Sequence, residues 1–237
     1  MKKLPTLIII ALALAFVFAA SPPGAAEGVG TVTQVGTDNA AYIYQEVLSE
    51  VIVMQLGNEN TASLDQVGAE HIAGVGQVGD KNEMEIQQLG QRDLLFSIQY
   101  GSYNYGSITQ MHSSTPGSAG GNVSNNEAFT YQSGLYNILN LMQIGDDNIA
   151  SVYQIDDGNE TFIIQEQSAL AMGGNATFVV QIGIGNWSAS QQLGVNLISR
   201  LLQMGDGNSA VVNQNGLDND SSVTQNGNQN SAIVNQG

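Results

Sequence analysis

Glutamine recurs in this chain at a fixed interval, and that interval limits the possible folds more than any other feature. Glutamines stand at 34, 45, 55, 66, 77, 88, 99 and 110, then at 132, 143, 154 and 165, then at 181, 192, 203, 214, 225 and 236. Nearly every gap is eleven residues; 45 to 55 is one short, 110 to 132 is doubled, and 165 to 181 carries five extra around "EQSALAMGG". A fixed period of this kind marks a repeat architecture, in which each unit buries its apolar face only by stacking on the next.

Alternate units differ in kind, so the full period is twenty-two residues, with one slip in the alternation after Gln165. The better-kept half reads Q-x-G-x-x-N-x-A-x-x-x-Q, with Ala41, Ala62, Ala150, Ala210 and Ala232 at the alanine place and Met84, Gly106 and Ser188 replacing it elsewhere. The looser half begins with Ser49, His71, Asp93, Asn137, Asn159, Asn175, Leu197 or Asn219. Between nine and ten copies fill residues 27–237, leaving no room for a second domain.

Within each half, residues two apart share one character. Asn39, Ala41, Ile43 and Gln45 form one such set, and Asn60, Ala62, Leu64 and Gln66 the next. The intervening places, such as Tyr42 and Tyr44, or Glu83, Glu85 and Gln87, are mixed, as a solvent-facing side should be. This period of two predicts strands with one buried face. The four residues between glutamine and asparagine read as turns, and glycine holds one place in them at Gly36, Gly57, Gly79, Gly101, Gly145, Gly183, Gly205 and Gly227, where a positive φ is expected. The predicted fold is all-β: a β-solenoid of strand-turn-strand rungs stacked about 4.8 Å apart, a column of roughly 45 Å, with almost no helix after residue 26.

Amides on a buried face need partners, because an unpaired one costs on the order of 1–3 kcal/mol. Stacking identical amides at the rung spacing supplies them as a ladder. The expected ladder takes Gln34, Asn39 and Gln45; Gln55, Asn60 and Gln66; Gln77, Asn82 and Gln88; and Gln99, Asn104 and Gln110. It continues with Gln143, Asn148 and Gln154; Gln181, Asn186 and Gln192; Gln203, Asn208 and Gln214; and Gln225, Asn230 and Gln236. Because the last copy keeps the motif to the final residues and carries no charge after Asp220, the expectation is an open template that further copies extend into a fibre.

The first 26 residues read differently. Lys2 and Lys3 precede an apolar run from Leu7 to Phe18 and then small residues, the pattern of a secretory signal peptide cleaved after Ala19, Ala20 or Ala26. Its removal takes the formal charge from −16 to about −18 and leaves Lys81, Arg92 and Arg200 as the only cations. With so little basic surface, a nucleic-acid partner is excluded. The chain has no cysteine, so no disulfide holds the fold. Catalysis, cofactor binding and a transition-metal site are not indicated: His71 and His112 stand alone, and the few cations are scattered. The acidic pairs at 146, 147 and 156, 157 suggest calcium, but the Gly-rich nonapeptide of calcium-binding β-rolls is missing.

The repeated motif, with Ser49 six residues before Gln55, resembles the curlin repeat of bacterial curli subunits over nearly all of residues 27–237. The resemblance implies a secreted subunit of an extracellular functional amyloid for biofilm matrix, adhesion and surface colonisation. It also implies an outer-membrane export channel and a nucleator subunit as partners. Matrix polysaccharide is a further candidate partner, through outward aromatics such as Tyr105, Phe129 and Trp187. A minor nucleator of the same fibre and a monomeric solenoid acting as adhesin or ice-binding protein are the alternatives. Asp146, Asp147, Asp156, Asp157, Asp206 and Asp218 resemble the charges that slow aggregation in family members, and equally suit turns. The chain departs from the family in its larger repeat number, in mostly lacking the upstream serine, and in "HSSTPGSAGGNVSN". That segment predicts a loop near 111–125, after which Asn126, Ala128 and Gln132 restore the phase; a long turn is expected near 166–174.

Overall fold

The computed structural model describes residues 28–46, 48–112, 125–167 and 173–237. The signal-peptide segment, Pro116 and most of the two expected loops lie outside the described residues. The strands are β1 (Val29–Val35), β2 (Ala40–Gln45), β3 (Glu50–Leu56), β4 (Thr61–Ala69), β5 (Ile72–Asp80) and β6 (Glu83–Gln91). They continue as β7 (Leu94–Ser102), β8 (Tyr105–Met111), β9 (Glu127–Leu135), β10 (Ile138–Ile144), β11 (Ile149–Ile155) and β12 (Glu160–Glu166). The last are β13 (Ala176–Ile182), β14 (Trp187–Val195), β15 (Ile198–Met204), β16 (Ser209–Leu217), β17 (Asp220–Asn226) and β18 (Ser231–Gln236).

Odd-numbered strands form one nine-stranded parallel sheet and even-numbered strands another, each in chain order. The chain is therefore a two-sided β-solenoid of nine rungs among the described residues, with no helix. Parallel pairing follows from the coil: each strand meets the one a full turn later, so Gln55 pairs with Gln77 and Gln66 with Gln88. Inward side chains of the two sheets meet as one core, in which Val51, Val53, Ala62, Met84, Leu139 and Val212 are fully buried. Burial alternates along most interior strands, as in β3 and β9, while β5 is buried continuously from Ala73 to Gln77.

The doubled gap does not restore the phase in the way that counting suggests. Twenty-two residues after Gln110, Gln132 would be expected above it. Instead β9 pairs with β7, so Gln132 stacks on Gln99, and β10 pairs with β8, so Gln143 stacks on Gln110. The ladder step here is 33 residues, from Gln99 to Gln132 and from Gln110 to Gln143. As a result the better-kept motif half, on the even sheet through Gly106, moves to the odd sheet at Ala128 and Ala150. It returns to the even sheet at Ser188 after the long gap. The alternation thus slips twice, not once.

Candidate functional site

Each side of the core carries an unbroken glutamine column. On the odd sheet Gln34, Gln55, Gln77, Gln99, Gln132, Gln154, Gln181, Gln203 and Gln225 are joined by Nε2–H to Oε1 bonds of 2.6–3.0 Å. On the even sheet Gln45, Gln66, Gln88, Gln110, Gln143, Gln165, Gln192, Gln214 and Gln236 do the same over the same range. In every bond the lower-numbered amide donates. The second N–H of most of these amides crosses the core to a main-chain carbonyl of the other sheet, as from Gln77 to Thr61 (2.9 Å) and from Gln143 to Glu127 (3.1 Å). A flipped amide would set oxygen against oxygen there, so the cross-sheet bond fixes the column's direction.

An asparagine column on the even sheet runs the other way. Asn39, Asn60, Asn82, Asn104, Asn137, Asn159, Asn186, Asn208 and Asn230 are linked by bonds of 2.9–3.2 Å in which the higher-numbered residue donates, through its main-chain N–H and usually Nδ2, to Oδ1 of the one before. The equivalent odd-sheet column is mixed: Ser49, His71, Asp93, Asn126, Asn148, Asn175, Leu197 and Asn219. Asn126 donates to Asp93 Oδ1 (3.0 Å), Asn148 to Asn126 and Asn175 to Asn148. His71 and Asp93 are buried one above the other, with Nδ1 3.3 Å from Oδ2, and the His71 ring also contacts the Val67 carbonyl.

The turns stack as closely as the strands. The eight expected turn glycines all adopt φ between 107 and 124 degrees, and Gly68, Gly90, Gly134, Gly194 and Gly216 are also positive, between 111 and 146 degrees. Positive φ is only half the reason. A Cβ on Gly57 would lie 2.0 Å from the Gly79 carbonyl oxygen, so glycine is also what lets successive turns approach to the rung spacing. A second left-handed position, immediately before the inward asparagine of the even sheet, holds Asp38, Glu59, Lys81, Tyr103 and Tyr136 in the early rungs, then Gly158, Gly185 and Gly207, and Gln229 in the last. There Lys81 lies 3.6 Å from Glu59 and 5.4 Å from the Tyr103 ring centroid, and Tyr103 stacks on Tyr136. Tyr103, then Glu59, holds the Lys81 ammonium above its ordinary pKa.

The turn aspartates act mainly as hydrogen-bond acceptors for the neighbouring rung. Asp157 takes the Leu135 N–H (2.8 Å), Asp206 that of Ile184 (3.0 Å), and Asp218 an amide N–H of Asn196 (2.9 Å). Asp146 pairs with His112, and Asp147 accepts from Asn125. None of these contacts sets acid on acid. Among the described residues, no group of three or more His, Cys, Asp or Glu is placed to hold a metal ion.

Among the described residues, the first and last rungs leave open what the interior rungs satisfy: β1 and β2 pair only upward, to β3 and β4, and β17 and β18 only downward, to β15 and β16. In the first rung Gln34 and Gln45 accept from no glutamine; in the last, Gln225 and Gln236 donate to none. The asparagine column leaves the opposite complement, an Oδ1 acceptor at Asn230 above and a main-chain N–H donor at Asn39 below.

Comparison with protein families gives a match to the curlin associated repeat over residues 57–90, within the second and third rungs, and 200–227, within the eighth and ninth. No curated protein matches the chain. The curlin family comprises structural amyloid subunits that self-assemble into extracellular fibres. The matches fall in both early and late rungs, on amide columns that run through all of them, and support the curlin family for this chain.

Proposed function

We propose that the chain is the structural subunit of a secreted, curli-like amyloid fibre, adding end to end and serving biofilm matrix, adhesion and surface colonisation. One observation carries this reading: the two end faces are complementary. The last rung offers glutamine donors and an asparagine acceptor where the first offers glutamine acceptors and an asparagine donor. Laying β1 and β2 of a second copy over β17 and β18 sets Gln34 on Gln225, Gln45 on Gln236, Asn39 on Asn230 and Gly36 on Gly227. Ala41 then meets Ala232 and Ile43 meets Val234. A head-to-head joint would place acceptor against acceptor in both glutamine columns. Addition is thus heterologous and does not close, which gives a filament.

A nucleator subunit, an outer-membrane export channel and matrix polysaccharide are the partners that the family resemblance supplies for this proposal. Its test is seeding. Protein lacking residues 1–26, held at micromolar concentration, should convert to dye-positive fibres after a lag that sonicated fibres abolish. A folded monomer that persists for days with seeds present would overturn the proposal.

A further inference from the structure

The two outer faces of the column are not alike. On the odd sheet, outward positions in the second to eighth rungs are apolar almost throughout: Ile52 and Met54, Phe96 and Ile98, then Phe178 and Val180. The rings there form rows along the column, with Phe96 and Phe129 5.8 Å apart and Tyr131 and Tyr153 6.4 Å apart. The even face carries Asp65, Glu83, Glu85, Glu160 and Glu166 at outward strand positions. An apolar stripe this long on a monomer marks an interaction surface.

We propose that the odd-sheet face is a second self-association surface, on which two columns pack face to face. Size and charge both favour a second copy as the occupant. Seven rungs at about 4.8 Å, each about 22 Å wide, present roughly 750 Å² per column, so pairing buries about 1,500 Å², a standard stable interface. The chain's formal charge of −16 opposes association in general, but this face brings only Glu50, Glu127 and Arg200 to the contact from those rungs. The acids of the even face stay outward, toward solvent. The first and last rungs are polar on this side, with Thr31 and Thr33 in β1 and Ser222 and Thr224 in β17. End-to-end addition would bring those rungs together, so apolar patches would recur at subunit intervals and pair in register.

Mass per unit length of the fibre tests this surface separately from elongation. Tyr153→Lys with Phe178→Lys alters two exposed positions on the odd face, while Met142→Lys with Phe162→Lys makes the same charge change at similarly exposed positions on the even face. All three proteins should elongate from seeds, which keeps failure of fibre formation distinct from failure of pairing. Wild type and the even-face variant should show twice the mass per length of one column, and the odd-face variant half of theirs. Single columns in the wild type, equal values for the two variants, or odd-face uptake of phosphatidylcholine vesicles or soluble glucan in place of pairing would overturn the proposal.

Discussion

At Gln143 the logic of the whole column can be seen in one side chain. Its Oε1 accepts from Gln110, one N–H reaches Gln165, and the other crosses the core to the Glu127 carbonyl. Gln143→Leu fills the same space and leaves those groups unpaired, at about 1–3 kcal/mol for each buried partner. The urea midpoint for dissolving fibres should fall accordingly. A shift no larger than that of the exposed Gln191→Leu would count against the ladder as a source of stability. The spacing of glutamines made these stacks legible in the sequence, because a period tells which residues lie over one another. It does not tell which way an amide points, so the cross-sheet bond and the opposed asparagine column emerge only from geometry. The second left-handed turn position was illegible for a related reason: Glu59, Lys81 and Tyr136 give no residue-type signal for positive φ, and glycine takes that place only from Gly158 on.

Strand identity and inward face follow from the alternation of residues two apart, so the elements were legible almost completely. Their assignment to sheets was not. The doubled gap from Gln110 to Gln132 predicts a loop, but a count of twenty-two keeps the phase and gives no sign that the strands after it change sheets. The sheet exchange has a testable consequence. Deleting residues 113–123 leaves the four residues Met111, His112, Ser124 and Asn125 between Gln110 and Asn126, the same length as the turn between Gln143 and Asn148. Closing a shorter loop changes stability by only about 0.6 kcal/mol per halving of length. The deletion variant should therefore seed and be seeded by wild type with little change in fibre stability. Loss of cross-seeding would show that the segment takes part in the rung.

For the whole molecule, the difference between the two outer faces was hidden by the same phase change. The outward residues that look mixed, Tyr42, Tyr44, Glu83, Glu85 and Gln87, all lie on the even sheet. Only when odd strands are gathered separately does the apolar face appear. On the end-to-end addition proposed above, the nine rungs of the described residues would form a segment of the fibre with no rearrangement of the fold. The axial rise per subunit, read from fibre diffraction or helical imaging, tests this most directly. Strands should lie across the fibre axis with a 4.8 Å layer line, and each subunit should add nine such layers, about 43 Å. A rise of a single layer per subunit, or strands running along the axis, would contradict the account.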